Sequence, residues 1–246
     1  MTQTKFVKTA GVITAFTAII LAGIISNSKP VGARNEDDQS EESKIQRGFE
    51  IAAQIVNLNL EGKNRALVGL GSYIVNVVGD CNGCHSKGPS SEFVAHGNPY
   101  FLNPPFSGTK KINANTYLAG GRDFGPFGPL PSQNQIPHLY SRNLTPDKTG
   151  LPEGGHTFEE FVEIMRKGTD FDHVHPSCTG TPPTPGTPPN CLMPHFNGDL
   201  LQVMRWPFFK DMTDHDLRAI YEYLSAVPCN PGPGIDGADY LQNVCE

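Results

Sequence analysis

The sequence predicts a mainly α-helical fold interrupted by long, irregular insertions rich in glycine and proline. Three segments place apolar residues at helical spacing behind recognisable start signals. Between two of them, 20 of the 71 residues from Ser86 to His156 are Gly or Pro, too many for regular structure. From Asn64 to Val78, Leu67, Leu70, Ile74 and Val77 recur every three or four positions, which predicts a helix that delivers the chain to Cys81. Thr157-Phe-Glu-Glu160 has the reciprocal pattern of a capping box ahead of Phe161, Ile164 and Met165, and predicts a second helix of about three turns. A third opens at Thr213-Asp-His-Asp216 and carries Leu217, Ile220, Tyr221 and Leu224 on one face until Pro228 stops it. The Gly/Pro-rich stretch reads as coil with room for a short hairpin, and no internal repeat is present.

Between the first helix and the irregular stretch lies Cys81-Asn-Gly-Cys84-His85. Two thiols two residues apart sit on the same side of a single turn, and an imidazole follows at once. This is the attachment pattern of a c-type haem, in which the thiols bond the two vinyl groups and the histidine approaches the iron as proximal ligand. Two other chemistries use paired cysteines. A structural zinc requires a second Cys or His pair at matching spacing, and a thioredoxin-like pair belongs to a βαβ pattern; the sequence has neither. Cys191-Leu-Met-Pro-His195 offers a single thiol. The expectation is therefore one covalent haem on Cys81 and Cys84, with His85 on the iron.

Lys5 and Lys8 precede an uncharged stretch from Thr9 to Ile25, and Val31-Gly-Ala33 ends in small residues where a signal peptidase cuts, so residues 1–33 read as a secretory signal peptide. Seventeen uncharged residues that include Thr and Gly are short for a membrane span, and cleavage would leave no span. The destination expected is the periplasm, or the outer face of the cytoplasmic membrane if the segment is retained. Cleavage removes Lys5, Lys8 and Lys29 and no acid, leaving 16 basic against 25 acidic residues, a formal charge of −9. That balance disfavours nucleic acid and anionic membrane surfaces as partners and leaves steering by a basic protein surface, or solubility alone, as its electrostatic role.

Four cysteines remain: Cys178, Cys191, Cys229 and Cys245. In an oxidising compartment they suggest two disulfides. Three connectivities are possible; the most local joins Cys178 to Cys191, clamping a Thr- and Pro-rich loop, and Cys229 to Cys245, tying the tail to the end of the last helix. The mature 213 residues divide into an acidic linker and N-terminal extension (34–63), a main domain (64–228, with the insertion 86–142) and a C-terminal tail (229–246).

Gly71-Ser-Tyr73-Ile-Val ahead of Cys81, Asn143-Leu-Thr-Pro-Asp147, Thr157-Phe-Glu-Glu-Phe161, and Met204 followed by Asp216-Leu-Arg-Ala-Ile-Tyr-Glu-Tyr-Leu224 occur in an order that resembles the class I c-type cytochromes, closest to the cytochrome domains that accompany membrane-bound alcohol and gluconate dehydrogenases. The resemblance covers about residues 64–85 and 140–228. It implies three or more helices around one haem, the first and last crossing near the haem edge through Gly71 with Tyr73 and Tyr221 with Leu224. It puts Met204 where the family has its axial methionine, although the family's Met-Pro-Tyr is Met-Arg-Trp here. Met193-Pro194 keeps the Met-Pro dipeptide but lies eleven residues earlier; Met165 and Met212 read as packing. Asn143 and the Thr145-Pro146-Asp147 turn resemble residues that line the haem near its propionates, against the alternative of an ordinary turn. Trp206, Phe208 and Phe209 are expected as crevice walls. His173 and His175 lack a third ligand, and His96, His138, His156, His195 and His215 form no constellation.

The function implied is one-electron transfer through a His/Met-ligated haem, with a dehydrogenase, a quinol-oxidising complex or a terminal oxidase as redox partner. A haem enzyme of peroxidase type or a gas-binding sensor, either with an open sixth site, stays open as the alternative. No Ser-His-Asp arrangement, paired-carboxylate motif or phosphate loop points to other catalysis.

Overall fold

The computed structural model describes residues 36–101, 109–126, 137–178, 191–192, 195–235 and 239–246. The expected signal peptide and Met193 lie outside them. The chain divides into two compact units, residues 1–39 and 40–246. Among the described residues the architecture is mainly helical with one two-stranded sheet, and no helix is long and apolar enough to cross a membrane.

Helix α1 (Glu36–Ala52) begins inside the stretch that composition assigns to a solvated linker. Its Glu, Gln, Lys and Arg are good helix formers, its exposed face carries the Arg47–Glu50 pair at 3.0 Å, and its last turns bury Gly48 and Ala52. Gly48 lies directly against Gly69 of α2 (Arg65–Tyr73), and Ser72 Oγ donates to the Gly48 carbonyl at 2.7 Å. Asn64 caps α2, its Oδ1 accepting from the amides of Ala66 and Leu67.

The first predicted helix continues only as a widened π-helical turn, Ile74–Val78, closed by Gly79 N–H donating to the Ile74 carbonyl at 2.7 Å. The extra residue per turn rotates the apolar stripe. Leu70 and Ile74 are buried as the spacing predicts, but Val75 takes the next core position and Val77 faces solvent. Helix α3 (Cys81–Cys84) is a single turn entered through Asp80 at φ 45°.

The insertion supplies strands β1 (Asp123–Pro126) and β2 (His138–Tyr140), paired antiparallel with Asp123 opposite Tyr140 and Pro126 opposite His138. Helix α4 (Phe158–Lys167) follows a left-handed turn at Pro152–Gly155 and has the predicted capping box: Glu160 N–H donates to Thr157 Oγ1, and Thr157 N–H to Glu160 Oε2. Gly168 ends it at φ 74°. Helix α5 (Trp206–Phe209) is one turn, and α6 (Asp214–Leu224) opens at Thr213 as expected.

Helices α2 and α6 cross at Gly71. A side chain there would meet the Ala219 carbonyl oxygen at 1.9 Å and Tyr223 Cβ at 2.8 Å, so only glycine allows the approach. The partners differ from those the resemblance implies. Tyr221 turns instead toward α4, its ring edge-on to Phe158 and its hydroxyl donating to the His156 carbonyl at 3.0 Å. Behind the crossing, Tyr117 Oη donates to Asn76 Oδ1 at 2.6 Å and lies 2.7 Å from Tyr223 Oη, a buried set that burial holds fully protonated. Both disulfides adopt the local pairing, Cys178–Cys191 and Cys229–Cys245.

Candidate functional site

Cys81, Cys84 and His85 open onto one cleft with about 790 Å³ of empty space, part of it exposed to solvent. The turn that carries them is built by contacts on both sides. Asn82 is buried beneath it and its Oδ1 accepts from Leu118 N–H at 2.9 Å, while Arg122 Nη1 donates to the Gly83 carbonyl at 2.6 Å. Cys81 and Cys84 are not joined to each other. Burial, reinforced by Asp80, pushes the Cys81 thiol up to about 12. A redox-active Cys pair needs the opposite, a depressed thiol that attacks as thiolate.

His85 is buried, and its Nδ1 lies 2.8 Å from the Arg142 carbonyl oxygen. A carbonyl can only accept, so Nδ1 carries the proton and Nε2 keeps a free lone pair. Desolvation lowers the pKa of the ring, with the Arg142 hydrogen bond opposing, and favours the neutral ligand form. The backbone of the insertion locks this arrangement. Gly120 N–H donates to the His85 carbonyl at 2.8 Å, and Gly120 sits at φ 72° against the Arg142 main chain, where a Cβ would come within 2.6 Å. Arg142 lines the cleft and is itself held by Asp170 at 2.7 Å and Asp172 at 3.2 Å.

Met204 lines the same cleft. Its N–H donates to the Gln202 carbonyl at 2.7 Å across Val203, which has φ 68°. A two-residue closure of this kind at a β-branched residue is a strained γ-turn. The loop is strapped to the rest of the molecule just upstream, where Leu201 N–H donates to the Gly168 carbonyl at 2.7 Å and Gly198 N–H to Ser177 Oγ at 2.8 Å. Leu201, Val203, Phe209, Phe124 and Leu139 make the cleft largely apolar.

Several expected site residues lie elsewhere. Tyr73 is half-buried near α1 and does not line the cleft. Asn143 is a buried hub for the tail: its Nδ2 donates to the Asn230 carbonyl at 2.9 Å and its Oδ1 accepts from Thr145 N–H at 3.0 Å, so its polar atoms are already occupied. Trp206 packs on Gly168 and donates to the Leu201 carbonyl at 3.1 Å, and Phe208 is exposed beneath the Arg205 guanidinium; of the three aromatics only Phe209 reaches the cleft. Met165 is buried in the core and Met212 packs against it, neither lining the cleft. Among the described residues, no three His, Cys, Asp or Glu side chains form a metal-holding group. Sequence reasoning missed Arg142, Glu153 and Val203. The only signal for Arg142 is its position one residue before the Asn143 turn, and for Glu153 the Gly154-Gly155 pair that follows it.

The chain is 28% identical over 162 residues to the gluconate 2-dehydrogenase cytochrome c subunit of Pantoea cypripedii, an alignment covering 65% of this chain and 23% of that protein. It is 25% identical over 189 residues to the cytochrome c subunit of alcohol dehydrogenase (quinone) of Gluconobacter oxydans (strain 621H), covering 74% and 27%. The chain resembles dehydrogenase cytochrome c subunits. A third relative, the fructose dehydrogenase cytochrome subunit of Gluconobacter japonicus, is 21% identical over 178 residues, 72% of this chain and 24% of that protein. The chain thus spans about a quarter of the length of these relatives. No family model and no solved structure matches it.

Haem c is the group these relatives imply, and the cleft fits it. It offers two reduced thiols one turn apart, an imidazole with Nε2 unengaged by the Arg142 carbonyl, and a thioether, all lining one largely apolar space, the character of a cofactor site.

Proposed function

We propose that this chain is an electron-transfer protein of class I cytochrome c type that carries one covalent haem. The observation that supports it best is the convergence of Cys81, Cys84, His85 and Met204 on one apolar cleft. Cys81 and Cys84, both free thiols, would hold the haem by addition of each S–H across a vinyl group, an attachment that needs no oxidant. His85 Nε2 and the Met204 thioether, which line the same cleft, would be the groups that hold the iron. When bound, the haem supplies reversible one-electron chemistry between ferric and ferrous iron. The Arg142 carbonyl fixes the His85 tautomer and raises its basicity, and Phe124, Leu139, Leu201 and Phe209 exclude water from the macrocycle. With His85 and Met204 both committed to the iron, the site would exchange electrons and leave no position for substrate, the property that separates a carrier from an enzyme.

The crossing of α2 and α6 at Gly71 with α4 packed beside it supports the class I architecture. The similarity to dehydrogenase subunits supports a dehydrogenase as electron donor, and the signal-like N-terminus supports export to the periplasm. The ferric protein should be low-spin and show the long-wavelength sulfur-to-iron band. Met204→Ala should abolish the band and let carbon monoxide bind the ferrous protein, whereas Met165→Ala should do neither. Wild-type protein that lacks the band and binds carbon monoxide would instead be an open-site haem enzyme or sensor.

A further inference from the structure

The left-handed turn ahead of α4 holds a glutamate in the wall of the haem cleft, and nothing in electron carriage alone requires one there. Glu153 has φ 53°, a conformation costly for a residue with a side chain, and is followed by Gly154 at φ 75° and Gly155 at φ 108°. Its N–H donates to the Leu144 carbonyl at 3.3 Å, which ties the turn to the segment just after Arg142. Glu153 lines the same cleft as His85 and Met204. Three charged groups act on it: Arg142 from the loop after β2, and Asp170 and Asp172 from the loop after α4. Arg142 would be the natural counter-ion, but Asp170 and Asp172 already engage it at 2.7 and 3.2 Å. Burial, with the two aspartates adding and Arg142 opposing, pushes the Glu153 carboxyl up to about 8.

Other ionisable groups bound the region. Asp80, His85, Tyr140 and Arg205 line the cleft, and His156 and Asp147 flank the turn itself. His156 is committed to Glu160 at 3.6 Å, and Asp147 caps Thr149. Tyr140 is raised, by burial first and Asp123 second, and stays protonated.

We propose that Glu153 is a redox-linked proton site of the haem cleft, binding a proton when the iron is reduced and releasing it when the iron is oxidised. The inference rests on the reading above. A one-electron donor, the reduced centre of a dehydrogenase or a chemical reductant, is oxidised; ferric iron becomes ferrous; and a solvent proton forms an O–H bond on the Glu153 carboxylate, so the charge of the cleft is unchanged. The sign follows from electrostatics. A carboxylate is favoured beside the more positive ferric centre, so the proton is held more tightly in the ferrous state. Raising pH through that window therefore lowers the midpoint potential.

The test is potentiometric titration of the purified haem protein from about pH 6 to 10. The wild-type midpoint should fall across the window around pH 8 with a slope approaching 59 mV per tenfold change in proton activity, the one-electron value. Glu153→Gln should flatten that segment, and Asp172→Asn, which removes a neighbouring negative charge and leaves Arg142–Asp170 in place, should move the inflection to lower pH. A wild-type slope retained in Glu153→Gln, or a midpoint independent of pH in the wild type, would overturn the proposal while leaving electron carriage intact. If Glu153→Gln fails to fold, an unshifted inflection in Asp172→Asn overturns it instead. Protein without any redox-active haem would overturn both.

Discussion

At the residue scale the site depends on a few atoms whose hydrogen bonds are already spent. His85 Nδ1 is committed to the Arg142 carbonyl, which leaves one nitrogen for chemistry. The contact uses only the main chain of Arg142, and the guanidinium separately neutralises Asp170 and Asp172 at the cleft edge. Arg142→Leu should therefore leave the His85 tautomer intact but strand two carboxylates, one of them buried, at a cost of about 3 kcal/mol or more, read by chemical denaturation. The grouping of Cys81, Cys84 and His85 on one cleft is legible in the sequence because all three lie within five residues. Asn143 and Trp206 are not, because a short polar or aromatic residue beside a motif has two possible orientations. The structure turns Asn143 to the tail and Trp206 to Gly168.

At the element scale, the capping signals are the most readable feature of the chain. Thr157 and Glu160 form the reciprocal pair that their spacing announces, and Thr157→Ala should cost about 1 kcal/mol in thermal or chemical unfolding. Glu160 is held below the usual carboxylate value, chiefly by the Thr157 N–H and then by its hydroxyl. Its folded-state pKa is depressed, so its contribution is complete at neutral pH and disappears as pH falls through that lowered value. Melting curves of wild type and Glu160→Gln should differ at pH 7 and converge in strong acid. The π-helical turn Ile74–Val78 is not legible: periodicity assumes a constant turn, and a single widened turn moves Val77 out of the core and Val75 in. The helix within the acidic stretch is hidden for a different reason. Composition reports charge, whereas Gly48 finds a partner surface on α2, and Ala52 a place in the core, only in three dimensions. At the α2–α6 crossing, Gly71→Ala would place a methyl group 1.9 Å from the Ala219 oxygen. The helices would have to separate, with an expected loss of about 1–3 kcal/mol.

At the scale of the whole molecule, the Gly/Pro-rich insertion that composition describes only as irregular forms a wall of the site. Phe124 and Leu139 to Arg142 come from it, and Gly120 and Arg122 bind the haem-motif turn directly. The disulfides secure other segments. Cys178–Cys191 closes the segment that leads to Met204, and Cys229–Cys245 holds the tail whose Asn230 carbonyl and buried Leu241 meet Asn143. Two strands and a strap thus convert distant sequence into one cleft, and this is why Met204 can be anticipated from a resemblance but its γ-turn cannot. The central claim is covalent attachment of a single haem at Cys81 and Cys84. Intact-protein mass spectrometry under denaturing conditions, on chain matured with a cytochrome c assembly system, tests it most directly. The account predicts the mass of the chain plus one haem in the wild type, and no retained haem in the Cys81→Ser/Cys84→Ser double variant. Wild-type protein that runs at the mass of the bare polypeptide, or with Cys81 and Cys84 joined to each other, would contradict it.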